Sequence, residues 1–438
     1  MALSTKPYKG ARDFYPEDKR LQKYILNTWR KAVERFGYQE YDAPLLESLE
    51  LYKAKSGEEI VSEQTYTFTD RGGREVVIRP EMTPTVSRMV AAKRQELAYP
   101  VRWYSIPNLW RYERAQRGRL REHWQLNVDV FGIDGIEAEH EMILVTDAIM
   151  REFGATRGMY TININSRQLM DYIMKDYLGL DSVQVHTLSK LIDRMHKMAH
   201  AEFVADADAL FTPSQRDAGA SEKLLTILGA KQLSDLPDQI QSSEAAQELS
   251  SLLTMAEAAG VTNTVFDITI MRGFDYYTGV VFEVADTDPE NNRSMAGGGR
   301  YNGLVGLFGV EPVSTVGFGS GDVTLANFLE SHDLLPKLKP ETDVYVIPIG
   351  DSYGQAQKLL ATLRSEGLRV AVDSTGRKPA AKLKAAIKHG IRYALFVGES
   401  ELAEGRFTLK DLSNENEQSL SPERIVSTIL DERRQAQD

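Results

Sequence analysis

The chain has 438 residues, 42% hydrophobic and 26% charged, and its 52 lysines and arginines against 63 acids leave a net charge of −11. That length fits two to four domains at roughly 100–200 residues each and the mixture excludes whole-chain disorder, while the net acidity argues against a general coat for nucleic acid. No cysteine is present, which excludes disulfides, thiolate metal sites, iron–sulfur clusters and a cysteine nucleophile. The start, MALSTKPYKGARDFYPEDKR, carries no apolar core of a signal peptide, and no run of about eighteen uncharged apolar residues occurs, so a protein neither exported nor embedded in a membrane is expected.

In chain order, Pro16 suits a helical first turn, and Leu21, Ile25, Trp29, Ala32 and Phe36 recur at helical spacing until Gly37. Two antiparallel hairpins follow. YTFTD and REVVIRP flank the turn Arg71-Gly72-Gly73, then VRWYSIPNLWRYE and HWQLNVDVFGID flank an arginine-rich loop. EAEHEMILVTDAIMREFG reads as a helix and TININ as a short strand, and helical patterning then continues to about Gly260. Strands return at VFDITIMR, YYTGVVFEV and TVGFGSG, so residues 170–260 read as a helical insertion splitting a β-rich domain whose halves, 1–169 and 261–331, pair in space. Residues 332–342, with two prolines, read as a linker. From 343 to 438 strands and helices alternate, predicting a small α/β domain with a mostly parallel sheet.

No GxxxxGK[ST] loop, no GxGxxG joining strand to helix and no HExxH is present. His196 and His200 lie four apart on an expected helix with no third ligand beside them, so a solvated face is preferred to a metal site, and no metal is assigned to a protein motif. Positive charge concentrates in two places. Arg111 to Arg121 holds five arginines against one glutamate, and Lys358 to Arg392 holds nine basic residues against two acids. The first fits either a solvated turn or forks that grip phosphate oxygens. Arg272-Gly273-Phe274-Asp275-Tyr276-Tyr277-Thr278-Gly279 opens a strand whose alternation sends Arg272, Phe274 and Tyr276 to one face and the intervening residues to the other, as a buried ion pair or as a binding site. Glycines at 297–299 and at 317, 319 and 321 allow a ligand close to the backbone or serve turns, and Glu81 with Thr83, flanking Met82, fits either an ammonium grip or a helix start.

Taken together and in this order, the segments resemble the histidyl-tRNA synthetases, a class II aminoacyl-tRNA synthetase family, over nearly the whole chain. KGARDFYP is similar to that family's entry signature, the first helix with the strand reaching Pro44 to class II motif 1, and Arg111-Tyr112-Glu113 through Gln125 to motif 2. RGFDYYTG and GGGRYNGL resemble two signatures specific to histidine enzymes. The resemblance implies an α+β fold: an antiparallel class II catalytic sheet with flanking helices, a helical insertion, and a C-terminal α/β anticodon-binding domain. It also implies a cytoplasmic homodimer acting on L-histidine, ATP with Mg²⁺, and tRNA-His.

Carried over, the resemblance implies a histidine site of Glu81, Met82, Thr83, Arg111, Gln125, Asp129, Arg272, Tyr276, Tyr277 and Tyr301. Glu81 and Thr83 would hold the α-amino group, Gln125 the carboxylate, and Asp129 with the tyrosines the imidazole. ATP would meet Arg111, Glu113, Arg119 and Arg272, with Arg111 and Arg272 clamping the α-phosphate, and Gln116 and Arg121 would approach the tRNA acceptor stem. Lys9 lies near a position that relatives use to sense the extra 5′ nucleotide of tRNA-His. Two departures stand out. Thr324 occupies the place of the motif 3 arginine that contacts the ATP γ-phosphate, with Arg300 or Arg119 as substitutes, and Asp129 stands where many relatives have Glu. The rival reading is a catalytically silent, histidine-binding regulatory paralogue of ATP phosphoribosyltransferase; the retained arginines, the two histidine signatures and the C-terminal domain weigh against it.

Overall fold

The computed structural model describes residues 3–53, 64–271, 276–291 and 293–435. The chain divides into two compact units, residues 1–14 with 22–335, and residues 15–21 with 336–438. Helix α1 (Pro16–Glu34) buries Ile25, Trp29, Ala32 and Val33, the stripe expected from its spacing. The first three strands are β1 (Gln39–Glu40), β2 (Leu46–Ser48) and, after α2 (Leu49–Lys53), β3 (Tyr66–Thr69), which forms with β4 (Glu75–Ile78) the hairpin read around Gly72 and Gly73. These strands give a small sheet in the order β2-β4-β3.

The large sheet takes its strands from both halves of the first unit. From the first half come β5 (Val101–Ser105), β6 (Asn108–Trp110), β7 (Glu122–Phe131) and β8 (Tyr160–Ser166); α3 (Thr83–Ala92) precedes β5 and α4 (Glu137–Glu152) joins β7 to β8. From the second half come β9 (Thr264–Phe266), β10 (Val280–Asp286), β11 (Ala296–Arg300) and β12 (Thr315–Gly321), followed by α12 (Asp322–Ser331). Between them run α5 (Arg167–Asp171), α6 (Ser182–Arg194), α7 (His200–Leu210), α8 (Pro213–Asp217), α9 (Ala220–Leu228), α10 (Asp238–Gln241) and α11 (Glu244–Ala258). Among the described residues the order is β1-β5-β7-β12-β11-β10-β8-β9, with β6 paired to β7, and the two halves join where β12 runs antiparallel to β7 and β10 to β8. Among the described residues of this sheet, only the end pairs β1-β5 and β8-β9 are parallel.

One expected strand is shorter than its sequence suggests. VFDITIMR is extended only to Phe266, because the Asp267 side chain accepts from the Thr269 backbone N–H at 3.0 Å and its hydroxyl at 2.7 Å, closing a local turn that competes with the ladder. Strand β10 likewise begins at Val280, after the tyrosines rather than before them.

Strand β7 explains how one sheet serves both core and site. Leu126, Val128 and Val130 are fully buried, and α4 and α12 pack against the joined strands β7 and β12. Period-two alternation puts Gln125, Asn127 and Asp129 on the other face, which lines a cavity.

In the second unit β13 (Val344–Pro348), α13 (Tyr353–Ser365), β14 (Val370–Val372), α14 (Pro379–Lys388), β15 (Tyr393–Val397), α15 (Glu399–Glu404), β16 (Phe407–Asp411), β17 (Glu417–Leu420) and α16 (Pro422–Gln435) follow in turn. The sheet order is β14-β13-β15-β16-β17. The first three strands are parallel, but β16 and β17 pair antiparallel, so the sheet is mixed rather than mostly parallel. The segments leading into β16 and β17 are too short for a parallel crossover, which needs a dozen or more residues. Val344, Val346, Leu395, Leu360, Leu363, Ile425 and Ile429 form this unit's core.

Candidate active site

The cavity, of about 420 Å³, lies wholly within the first unit, between the β7 face just described, the strand β12 beside it and the loops that close over them. Its floor exists because β12 offers no side chains there. Gly317 pairs with Asp129 and Gly321 with Gln125 across the ladder. A Cβ on Gly317 would lie 2.0 Å from Asp129 Oδ1, and one on Gly319 would lie 2.4 Å from Gln125 Nε2. The glycines of TVGFGSG therefore make room for the two polar side chains rather than a turn.

At one end, Asp129 is 3% exposed and accepts a hydrogen bond from the Tyr301 hydroxyl. Burial pushes its carboxyl up to about 7, with the Tyr301 bond opposing the shift. The Tyr276 hydroxyl donates to Glu81 Oε2 at 3.0 Å, and Tyr52 donates to the Glu81 backbone carbonyl at 3.0 Å. The rings of Tyr276, Tyr277 and Tyr301 meet edge to face, with centroids 5.0–6.5 Å apart. Both Tyr276 and Tyr277 line the cavity, so the alternation expected for them fails; they lie before the strand, where a period of two does not hold. Thr83, at the start of α3, also lines it, whereas Met82 is fully buried and does not.

At the other end stand Arg111, Glu113 and Arg119. Arg111 donates from Nε to the Pro80 carbonyl at 2.9 Å, which aims its guanidinium, and Arg119 Nε pairs with Glu113 at 2.9 Å. Gln125 Nε2 donates to Asn127 Oδ1 at 2.8 Å. The tip of the arginine-rich loop is a tight turn closed by reciprocal backbone bonds between Gln116 and Arg119, with Gly118 at φ +74°. Gln116, Arg114 and Arg117 are exposed. Arg121 is not: it is buried beneath the N-terminal segment, donating to the Glu113 carbonyl and the Tyr8 hydroxyl with its guanidinium 3.9 Å from the Tyr112 ring centroid. Its place in the fold is to brace the loop, not to face a partner. Arg12 from the same N-terminal segment pairs at 2.7 Å with buried Asp322, which also accepts from the Trp124 N–H.

Several residues named from the sequence lie elsewhere. Arg300 is buried and bonds Glu139 together with the carbonyls of Ile133 and Gly135, so it is a structural ion pair and no phosphate ligand. Arg272 lies outside the described residues. His196 contacts Thr269 from a short 3-10 turn while His200 begins α7, so they do not share a helix, and among the described residues no group of three potential ligands is placed to hold a metal. Lys9 is exposed.

Among the lining residues that escaped the sequence reading, two bear charge-capable side chains beside the arginine loop, His123 and Arg293. His123 sits two residues before Gln125 on the same face of β7, so alternation alone would have found it. Burial and the nearby Arg111 and Arg12 lower its imidazole to about 3, leaving it neutral. Arg293 comes from the loop before β11, where no periodicity points to it.

A family model described as histidyl-tRNA synthetase matches residues 10–321, and one described as an anticodon binding domain matches 343–432. Among curated relatives, a histidine–tRNA ligase of Leptospira biflexa is 43% identical over 98% of this chain and 98% of that protein, and one of Thermoplasma volcanium is 37% identical over 92% and 93%. The crystal structure of a histidyl-tRNA synthetase from Nostoc shares the fold at a TM-score of 0.82, covering 98% of this chain and 100% of that one at 24% identity. By the match of its family model and the full-length identity to these relatives, the chain belongs to the histidyl-tRNA synthetase family.

Proposed function

We propose that the chain activates L-histidine with ATP and transfers it to the 3′ end of tRNA-His. The observation that carries the reading is one cavity with two unlike ends: a desolvated carboxyl ringed by three tyrosines, and a charged end bearing Arg111 and Arg119. The imidazole of histidine fits the first, giving a ring N–H to Asp129 against an aromatic wall, while Glu81 and Thr83 take the α-ammonium group and Gln125 the carboxylate.

The histidine carboxylate oxygen then attacks the α-phosphorus of ATP. A P–O bond forms, the bond to the bridging oxygen breaks, and pyrophosphate leaves with that electron pair. No general base is needed, since the carboxylate is already ionised. Arg111, held by Pro80, meets the charge that grows on the phosphate oxygens, with Arg272 assigned to the opposite side. Glu113 reads the adenine amino group and Arg119 reaches the outer phosphates. Mg²⁺ enters with the nucleotide, as MgATP.

In the second step the terminal ribose hydroxyl of tRNA takes the histidyl group and AMP departs. Gln116, exposed at the loop tip, meets the acceptor stem. We assign catalysis to residues 1–169 with 261–331, the helical insertion to 170–260, the linker to 332–342 and anticodon binding to 343–438. A homodimer in the cytoplasm is the proposed form. It is supported by a groove of about 330 Å³ that includes Leu51, Pro84, Leu304 and the exposed Leu307 and Phe308. No described helix is long and apolar enough to cross a membrane.

The test is ATP–pyrophosphate exchange with each amino acid in turn, without tRNA. Exchange with histidine alone is expected; histidine binding without exchange would overturn the reading in favour of a silent histidine-binding protein.

A further inference from the structure

ATP carries about four negative charges, and the acids Glu81, Glu113, Asp129 and Glu283 also line the cavity, so positive groups there are at a premium. Among the described residues three arginines line it: Arg111, Arg119 and Arg293. His123 is neutral, Arg300 is committed to Glu139 and Arg12 to Asp322. Arg119 is already paired with Glu113.

Arg293 has a defined seat. A Cβ built on Gly118, at the tip of the arginine loop, would lie 3.2 Å from Arg293 Cγ and 3.5 Å from Thr324 Cγ2, so the three residues meet at one point. Thr324 turns its hydroxyl back to the Gly321 carbonyl at 3.3 Å. It presents only a methyl group there, and the stem of Arg293 packs into the same space. The loop bearing Arg293 is anchored two residues earlier, at Asn291, which donates to Asp286 and Ser331 at 2.8 and 2.7 Å and accepts from Arg117 at 3.2 Å. Arg293 is half-buried, and it lines both the main cavity and the small one opening beside Gly118.

We propose that Arg293 is a phosphate-binding arginine that grips the terminal phosphates of the bound nucleotide, entering from the loop before β11, beside the place where Thr324 leaves room. A planar guanidinium at this mouth suits bidentate contact with phosphate oxygens. The inference rests on the adenylation reading and adds to it a second group, besides Arg119, that holds the leaving pyrophosphate. The small residue at 324 and the arginine at 293 are then two parts of one arrangement.

The experiment compares the full-length wild type with Arg293→Ala and Arg293→Gln, reading both histidine-dependent ATP–pyrophosphate exchange and equilibrium binding of ATP and of AMP. The expected result is a rise of about 10–100-fold in KM for ATP, with AMP affinity and the KM for histidine within about twofold, and partial recovery in Arg293→Lys. An unchanged preference for ATP over AMP in both variants would overturn the inference. Wild-type protein that fails to exchange with histidine would sink the adenylation reading instead, while the ATP-to-AMP ratio would still judge Arg293. Arg293→Gln keeps most of the side-chain length, which separates loss of charge from loss of packing against Gly118.

Discussion

The two ends of the cavity are built on opposite physical terms. Around Asp129 the polar groups are few and bonded to one another, with Glu81, Asp129, Tyr276 and Tyr301 each less than 5% exposed. Around Arg119, whose side chain is 44% exposed, charge is plentiful and water competes for it. Burial makes each contact at the first end costly to leave unmade, so a ligand lacking one matching group is rejected strongly. Contacts at the second end are individually weak, and a polyanion is held there by several arginines together. On the proposed function, selectivity therefore belongs to the tyrosine end and affinity for a common cosubstrate to the arginine end.

The sharpest way to break this comparison is Gly317→Ala. The added methyl would sit 2.0 Å from Asp129 Oδ1 and 2.8 Å from the Val128 carbonyl, and backbone cannot yield as a long side chain can. Histidine-dependent exchange should fall on the order of a thousandfold in kcat/KM for histidine while the KM for ATP moves little. Equal damage to both substrates would mean that the ends are not separate. Next comes Arg111→Ala, at the boundary between them. Because its guanidinium is aimed by the Pro80 carbonyl, its loss should lower kcat for exchange by about 10²–10³-fold with histidine affinity nearly unchanged. A change confined to KM for ATP would reduce Arg111 to one more member of the weak group.

The same division governs what the sequence reveals. The residues of the tyrosine end were named from the family resemblance rather than from periodicity; the structure adds that Gln125 and Asp129 share one face of β7 with the glycines of β12 opposite. Alternation extended by two residues from Gln125 reaches His123. Pairing of the two β-rich halves was legible, since strand character disappears between Ser166 and Thr264 and then returns. What was missed depends on loops and local competition. Asp267 ends a strand by bonding to Thr269, and Arg293 reaches the cavity from a loop with no period to betray it. Arg121 and Arg300 misled for another reason: sequence shows that a residue is charged, but not whether a tyrosine cluster or a glutamate already occupies it. At the arginine end, composition identified the charge and only the structure could separate cations that line the cavity from those buried in structural pairs.

The smallest effect expected is on stability, and it tests whether the tyrosine end is desolvated. Asp129 has an ordinary value of 3.8, and burial raises it to about 7. A carboxyl raised in the folded state is favoured there in its protonated form. Its contribution is fully present below the unfolded value, is lost as pH rises through 7, and is flat above that. Asp129→Asn cannot ionise. Urea unfolding of the ligand-free proteins should therefore show the wild type losing roughly 3 kcal/mol relative to the variant between about pH 4 and pH 7. Saturating histidine should shrink that loss, because a cationic imidazole beside the carboxylate offsets the burial that raised it. Parallel pH profiles for wild type and variant would mean that water reaches Asp129 after all, and the contrast between the two ends would then be one of residue type and not of solvation.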